Sequence, residues 1–306
     1  MRKYECENDY WKIREFLREI FLKNDRNAYS WQTARLDYWR WHVVGNCQEG
    51  TDFSENIFIW ENDSKEIIAV LNPENKGESF IQIDPDYKTY ELEKEMILIA
   101  EKHLKTERNN LGVWAHSDDD LRNNILIELG FEKTDWIESQ RKIDFCKNEI
   151  PVIKIPEEYK IRSMKDETDL PKRGWASWLA FHSDEPVENY QNDEGEWYKK
   201  IIKTPMYRRD LDIVAESKNG EIVAFCTVWF DDVTRTGYFE PIGVMPEHQK
   251  KSLGKAVMAY AMQSLKDVGG IVATVAGFSE EANKLYSYMM PEKEKEMYLW
   301  IKEVKQ

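Results

Sequence analysis

The segment HQKKSLGKAV, from His248 to Val257, has the residue types of a loop that binds an anion. Lys250, Lys251 and Lys255 surround a serine and Gly254, where a strand-like pattern gives way to a helical one. Backbone N–H groups at the start of a helix, left accessible by small side chains, form a ready site for phosphate. The segment has neither GxxxxGK[ST] nor GxGxxG, so it is neither a Walker loop nor a dinucleotide fingerprint.

A second stretch, WASWLAFHSDEPVENY, combines aromatic and acidic side chains. Aromatic faces beside carboxylates suit a ligand with an ammonium group. We therefore expect a substrate pocket here, and its candidate residues are Trp175, Trp178, His182, Glu185 and Tyr190. An equally open interpretation is a tryptophan-rich core face of a helix, followed by an acidic loop in solvent.

The composition restricts the classes of protein that the chain can represent. A net charge of -14 argues against nucleic acid or an anionic membrane as the main partner, but would attract a cationic co-substrate. The four cysteines and five histidines have no metal-ligand or redox spacing, so we expect no metal. The charged N-terminal segment and the absence of a long apolar run predict a cytoplasmic protein.

Hydrophobic periodicity gives the same order of helices and strands twice along the 306 residues. The pair Asp84-Pro85 corresponds to Met245-Pro246, 161 residues later, and Leu126 corresponds to Leu285, 159 residues later. Near-constant offsets over several elements indicate a duplication. We predict two domains, residues 1–146 and 160–306, joined by a linker at 147–159 that contains two prolines. The strand EMYLWIKEV, from Glu296, is expected to close the second domain.

The spacing Gln249-x-x-Ser252-x-Gly254, followed by Ala256, resembles the Q/R-x-x-G-x-G/A signature of the GNAT family of N-acetyltransferases. The flanking segments EPIGVMPE and EEANKLY also resemble that family, and the duplication is similar to its tandem members, the architecture of mycothiol synthase. The resemblance implies an α/β (α+β) fold with two tandem domains, each a mixed, mostly antiparallel sheet flanked by helices. It also implies acetyl-CoA as cofactor and an amine of a small, cationic molecule or a peptide as acceptor.

The resemblance carries specific roles onto this sequence. The strand residues Ile242, Gly243 and Val244 would pair with the pantetheine arm, with the Val244 N–H facing the thioester carbonyl. The pyrophosphate would lie on the loop, and Ser279 and Asn283 would add contacts. The cofactor-binding residues of the loop are Gln249, Lys250, Lys251, Ser252, Leu253, Gly254, Lys255 and Ala256.

Tyr286 is implied as the acid that protonates the departing thiolate; its alternative interpretation is a core tyrosine of an amphipathic helix. For the base we name Glu240, which has the same parity as Ile242 and Val244 and so would share their face. A surface glutamate is an equally good explanation. His182 is the second candidate base, although a lone histidine is often structural.

Two positions depart from the family pattern. Ser252 replaces the first loop glycine, a mild change if its backbone stays out of the left-handed region. Met289-Met290 replaces the usual Gly-Phe after the tyrosine helix.

In the first half, the loop reads YKTYELEKE, and its carboxylates would repel a pyrophosphate. Ile127 stands where Tyr286 stands in the second half, so we expect one working site, in the second half. The leading alternative is a non-catalytic acyl-CoA-binding or interaction protein with the GNAT fold. A scaffold that binds no nucleotide leaves the 240–286 pattern unexplained. Either a monomer or a homodimer is compatible with the sequence.

Overall fold

The computed structural model describes residues 1–48, 50–190 and 194–304. The chain divides into two compact units. The first unit consists of Met1–Trp39, Gly50–Gln140 and Glu294–Gln306, and the second consists of Arg40–Glu49 and Arg141–Lys293.

The strands that the structure describes range in length from two residues, in β1 and β12, to thirteen, in β6. In chain order they are β1 Arg2–Lys3, β2 Phe58–Glu61, β3 Ile67–Asn72, β4 Glu78–Ile83, β5 Asn110–His116, β6 Glu132–Asp144, β7 Tyr159–Ser163, β8 Asp212–Ser217, β9 Ile222–Asp231, β10 Thr236–Val244, β11 Val272–Gly277, β12 Glu292–Lys293 and β13 Met297–Glu303.

The α-helices flank these strands. They are α1 Glu7–Lys23, α2 Thr33–Tyr38, α3 Tyr90–His103, α4 Asp120–Glu128, α5 Asp169–Phe181, α6 Glu196–Ile201, α7 Leu253–Asp267 and α8 Glu280–Met289. A π-helical segment, Trp39–Cys47, continues α2.

Each unit contains a mixed, mostly antiparallel sheet, as the sequence predicts. In the first unit the strand order is β1-β2-β3-β4-β5-β13-β6, and only β4 and β5 are parallel. In the second unit the order is β7-β8-β9-β10-β11, with β10 and β11 parallel. The remaining part of β6, from Arg141, belongs to the second unit and pairs with β12.

The last strand lies in a different sheet from the one expected. The sequence pattern assigns EMYLWIKEV to the second domain, but β13 pairs with β5 along its length and with β6 on its other edge. Residues 294–306 therefore belong to the first unit, and residues 40–49 to the second. An alternating pattern predicts a strand, but it carries no information about which sheet edge the strand will join.

Helix α7 shows why the second unit has a well-formed core. Its apolar residues recur every four positions, at Leu253, Val257, Ala261 and Leu265, and each is at most 1% exposed. This spacing places them on one helix face. Burying a leucine or valine side chain contributes about 1.5–3 kcal/mol. The start of α7 is therefore fixed against the sheet by packing rather than by the loop before it.

None of the described helices combines the length and apolar character that a membrane-spanning helix needs. Among the residues that the structure describes, no three His, Cys, Asp or Glu side chains are grouped so that they could hold a metal ion.

The position of β13 predicts a stability difference between two neighbouring residues. Trp300 is 6% exposed in the core of the first unit, whereas Ile301 is 46% exposed. We expect Trp300→Ala to lower the free energy of unfolding by about 3–5 kcal/mol, because it leaves a cavity. Ile301→Ala should cost less than about 1 kcal/mol. Urea unfolding of both variants checks this, and equal costs would contradict the placement of β13.

Candidate active site

The end of β10 carries the three strand residues of the predicted cofactor site, Ile242, Gly243 and Val244. Gly243 pairs with Phe225 of β9, and a Cβ atom at Gly243 would lie 2.3 Å from Cζ of that ring. Only glycine fits there without moving Phe225. Since side chains alternate along a strand, Ile242 and Val244 point to the other face, where they pack against the core that α7 covers.

The peptide groups of β10 alternate in the same way. The Met245 N–H donates to Val223 O of β9 at 2.9 Å. In an antiparallel ladder the bonded residues alternate, so Gly243 also turns its peptide groups toward β9. The N–H groups of Ile242 and Val244 therefore face away from β9, toward the side of β11.

On that side the two strands separate. β10 and β11 pair through three residues each, Thr236–Tyr238 with Val272–Thr274. Both strands then continue, to Val244 and Gly277, without further pairing between them. The Gln249 side-chain amide donates to Val244 O at 3.3 Å and ties the following loop to the strand end. The Val244 N–H thus faces a gap between two strands.

Glu240 lies in a β-bulge. Between Phe239 and Ile242, three steps along β10 match two steps along β9, from Val228 to Cys226. The extra residue interrupts the alternation along the strand, so parity alone does not place Glu240 on the face of Ile242. Because of the bulge, the direction of the Glu240 side chain does not follow from the alternation of Ile242, Gly243 and Val244.

The loop after β10 has two residues with left-handed backbone. Lys250 has a φ of 60° and Ser252 a φ of 63°. Ser252 would be a mild replacement for glycine only outside this region, but its backbone lies inside it. A left-handed L-residue costs about 1–2 kcal/mol. Backbone that alternates into the left-handed region forms a concave group of N–H donors that binds anions.

The donors of this loop are available to a ligand. Within the described residues, the backbone N–H groups of residues 250–255 donate to no acceptor in the chain. The first intrachain bond is that of Ala256 N–H to Ser252 O, at 3.0 Å. Gly254 adds no side chain, and a Cβ there would lie 3.3 Å from Leu285 Cδ2. Six successive donors at a helix start provide the fit that a pyrophosphate requires.

The three loop lysines have different surroundings. Lys251 Nζ donates to the Tyr159 hydroxyl at 3.0 Å, and this bond raises the pKa of Lys251. Lys255 Nζ lies 3.7 Å from the centre of the Tyr288 ring. Lys250 is exposed at the left-handed turn. Of these three lysines, only Lys250 can therefore contact an anion without first breaking a side-chain contact.

Tyr286 of α8 lies next to the strand gap. Its side chain is 7% exposed, and a Cβ at Gly277, the last residue of β11, would lie 3.0 Å from two carbons of its ring. Burial raises the pKa of Tyr286 above its ordinary value, and the electrostatic effect of Glu240 and then Cys226 raises it further. The structure therefore brings Tyr286 and Glu240 within electrostatic reach of each other.

Two other predicted residues belong to the same helix. The Asn283 side-chain amide donates to Gly277 O at 3.5 Å, which links α8 to the end of β11. The Ser279 hydroxyl accepts the Ala282 N–H at 3.1 Å and caps α8. Ser279 is therefore already occupied as a helix cap.

Where the family has Gly-Phe, Met289 and Met290 are both fully buried in the core of the second unit.

The predicted substrate residues form an aromatic cluster on α5 and the loop after it. The Trp175 and Trp178 rings stack at 5.7 Å, and Tyr190 lies 5.0 Å from Trp175 and 5.5 Å from Trp178. His182 stacks on Trp178 at 6.0 Å. Glu185 Oε1 lies 2.8 Å from His182 Nδ1, and this pairing lowers the pKa of Glu185. The five residues are thus brought together, but the carboxylate already has a partner.

The two groups of residues lie on opposite faces of β9. Phe225 contacts Arg173 and Phe181 of α5, whereas its neighbour Cys226 belongs to the core that α7 covers. Adjacent residues of a strand point to opposite faces. The aromatic cluster is therefore on the α5 face, and the loop and Tyr286 are on the α7 face.

The matching helix start in the first unit is capped by a threonine and has a buried carboxylate. The Thr89 hydroxyl accepts the Leu92 N–H at 3.2 Å, and Thr89 O accepts the Glu93 N–H at 3.1 Å. The Glu93 carboxylate is buried and accepts from Arg122 Nε at 2.8 Å. Ile127, which matches Tyr286, is 61% exposed. At this helix start Thr89 therefore occupies the N–H groups of Leu92 and Glu93, and an exposed isoleucine stands in place of the buried tyrosine.

Several residues of the site have no distinctive sequence signal. Phe225 and Tyr159 act through pairings that join distant parts of the chain, with Gly243 and with Lys251. Met245 directly follows the binding strand, although its sequence pattern marks it only as a landmark of the repeat. That adjacency is the one signal that could have identified a neighbour of the site.

Comparisons with known proteins agree with this geometry. Residues 172–289 match the model of the Acetyltransferase (GNAT) family. A search of curated protein sequences finds no significant match.

Solved structures similar to the whole chain include a GCN5-related N-acetyltransferase from Sphaerobacter thermophilus, with a TM-score of 0.66, 14% identity, and coverage of 100% of this chain and 95% of that chain. A tandem GNAT protein from the clavulanic acid biosynthesis pathway has a TM-score of 0.65 and 12% identity, with coverage of 99% and 98%. A GNAT-family acetyltransferase from Colwellia psychrerythraea has a TM-score of 0.61 and 9% identity, with coverage of 98% of both chains.

At these identities the structural similarity shows the fold alone, and the family model applies to residues 172–289. The separated strands, the open helix start and the buried tyrosine all lie within the matched residues. Residues 172–289 therefore match an acetyltransferase domain of the GNAT family, within a chain whose fold is shared with a tandem GNAT protein.

Proposed function

We propose that the second unit transfers an acetyl group from acetyl-CoA to the amine of a small cationic acceptor. The observation that carries this proposal is the run of six accessible N–H groups at 250–255, next to a strand gap that Tyr286 flanks. A diphosphate is the anion that such a run of donors suits best. Acetyl-CoA has a diphosphate and, at its other end, a thioester that supplies an activated acetyl group.

The gap between β10 and β11 suits the other end of acetyl-CoA, the thioester. A thioester carbonyl in the gap would accept a hydrogen bond from the Val244 N–H, which faces away from β9. A backbone donor held rigidly by a strand stabilises negative charge on that oxygen without having to reorient. The β9 ladder fixes the strand from one side, and the Gln249 amide holds its last carbonyl from the other.

Tyr286 is the proposed acid for the thiolate. Its raised pKa keeps the hydroxyl protonated at neutral and moderately alkaline pH, so that it holds a proton to donate. Within the described part of the chain, this hydroxyl makes no hydrogen bond. It is thus available to a group in the gap.

Glu240 is the proposed base for the acceptor amine. Its position at the bulge, within electrostatic reach of Tyr286, allows it to receive a proton directly or through water. His182 remains the second candidate. It is 44% exposed and paired with Glu185, so it would first have to exchange that partner for the amine.

The aromatic cluster of α5 is the proposed boundary of the acceptor site. Trp175 and Tyr190 are partly exposed, and their rings meet at 69°. Aromatic faces bind a protonated amine favourably even at exposed positions.

The first prediction concerns the anion loop. Acetyl-CoA should bind once per chain, and Gly254→Glu should abolish binding because a carboxylate would face the diphosphate. Lys250→Ala should weaken binding by no more than about fivefold, since an exposed charge contributes at most about 1 kcal/mol. Calorimetry measures all three, and Gly254→Ala controls for the loss of glycine itself. Two equal sites per chain, or normal binding by the glutamate variant, would refute the assignment.

The second prediction concerns the left-handed serine. Ser252→Gly should bind acetyl-CoA at least as tightly as the wild type, because glycine adopts a φ of 63° without strain. Ser252→Val should weaken binding about tenfold or more, because a β-branched residue opposes that conformation. Calorimetry on folded variants, checked by thermal unfolding, compares them. Equal affinity for valine and glycine variants would mean that the conformation is not needed.

The third prediction separates an enzyme from a protein that only binds acyl-CoA. Tyr286→Phe keeps the ring against Gly277, so acetyl-CoA affinity should barely change. Turnover should fall by about 10²–10⁴-fold, the usual contribution of general acid catalysis. The loss should persist from pH 7 to 9, because the raised pKa keeps the wild-type hydroxyl protonated throughout.

Glu240→Gln provides the contrast. A missing base should be partly rescued at higher pH, where more of the amine is already deprotonated, whereas a missing acid should not. Free-thiol release at several pH values checks both variants. Wild-type turnover by the phenylalanine variant would show that Tyr286 has no catalytic role. Only the assignment of the acetyl-CoA site would then stand.

A further inference from the structure

A groove of about 510 Å³ lies on the α5 face of the second unit. Its wall is formed by the start of α5, the loop after α5, the turn between β8 and β9, and the residue after β10. The apolar residues of this wall are Pro171, Trp175, Val187, Tyr190, Ile222 and Met245. The volume lies within the range of about 300–1,000 Å³ that is common for small-molecule sites.

The groove borders the end of the binding strand at Met245. Met245 forms part of the groove wall and directly follows Val244, whose N–H faces the strand gap. The other side of the groove is formed by Trp175 and Tyr190, with ring centres 5.0 Å apart. An acceptor whose amine reaches the gap would therefore extend its remaining atoms between Met245 and this aromatic pair.

Little charge faces the interior of the groove. Of the described residues that line it, Lys172 and Glu221 are the charged ones. Lys172 Nζ is bound to Gly220 O at 2.7 Å, and Glu221 is exposed at the turn. Glu185, the carboxylate that the sequence analysis offered for an ammonium, is engaged by His182 at 2.8 Å. The interior thus suits an apolar group better than a second cation.

The fold itself does not require this apolar lining. The first unit has a groove at the matching position, between α1, the turn from β2 to β3, and Asp84, which matches Met245. That groove is lined by three lysines and five carboxylates, among them Lys12, Glu19 and Asp84. The same backbone arrangement is therefore charged in one unit and apolar in the other, so the apolar character belongs to the residues of the second unit.

We infer that the acceptor carries a single amine on an apolar body, which lies in this groove. The inference rests on the proposed acetyl-transfer function and narrows its acceptor class. A polyamine or an aminoglycoside would have to place a further ammonium among Trp175, Tyr190 and Met245. Such an ammonium would face aromatic rings but no buried carboxylate among the described lining residues, so it would give up water without gaining a buried ion pair.

A matched pair of amines tests the inference directly. Hexylamine and 1,6-diaminohexane have the same chain and differ by one terminal ammonium. With acetyl-CoA, kcat/KM for hexylamine should exceed that for the diamine by about tenfold or more, because of the desolvation of the second ammonium. Free-thiol release gives the rates, and calorimetry with coenzyme A present gives the affinities of the amines.

Two valines provide matched variants. Val187 lines the groove and is 56% exposed, while Val233 lies on the turn after β9, outside the groove lining, and is 53% exposed. Val187→Asp adds a carboxylate to the groove and should reverse the preference toward the diamine. Val233→Asp adds the same charge elsewhere on the unit and should leave the preference unchanged.

The outcomes separate the two proposals. Failure of acetyl-CoA to bind would refute the proposed function itself. Normal acetyl-CoA binding with a preference for the diamine, or with no binding of either amine, would overturn the groove assignment alone. A preference for hexylamine that Val187→Asp does not change would also overturn it, because the discrimination would then arise elsewhere.

Discussion

The separation of β10 from β11 is the constraint on which the rest of the second unit depends. A strand inside a sheet normally satisfies its N–H and C=O groups on both sides, and unpaired buried groups are costly. Here the ladder ends after Tyr238, yet β10 continues to Val244. The last part of the strand must therefore be held from one side, by β9, and by the loop through Gln249. The same arrangement leaves the Val244 N–H available to a ligand.

The sequence predicts the local elements well, and for a physical reason. Hydrophobic periodicity is a local property, so the segment DIVAES predicts β8 over the residues that the structure assigns, Asp212–Ser217. The loop at 249–256 was likewise recognisable, because a helix start with small residues is a local feature. The repeated order of these elements indicated the duplication, whereas the mixed sheets in both halves were implied by the resemblance to the GNAT family.

The failures involve pairing between distant residues. β13 looks like the last strand of the second half, but its partners β5 and β6 lie in the first unit. The orientation of Glu240 depends on one extra residue opposite β9, and a bulge has no reliable local signal. Whether Ser252 is a mild replacement for glycine depends on its backbone, which the tertiary structure places in the left-handed region that serine rarely adopts.

Opposite faces of one pair of strands serve the two proposed ligands. Val244 faces α7, and its Cγ2 lies 3.5 Å from the position of a Cβ at Gly254, whereas Gly243 faces α5 and contacts Phe225. A side chain at Gly243 would push the Phe225 ring toward α5, where Arg173 lies 3.6 Å from it. The strand could relieve that contact only by moving toward α7, which would displace the Val244 N–H. Packing on the acceptor face therefore requires glycine at 243. The same glycine keeps the Val244 N–H in its position in the gap.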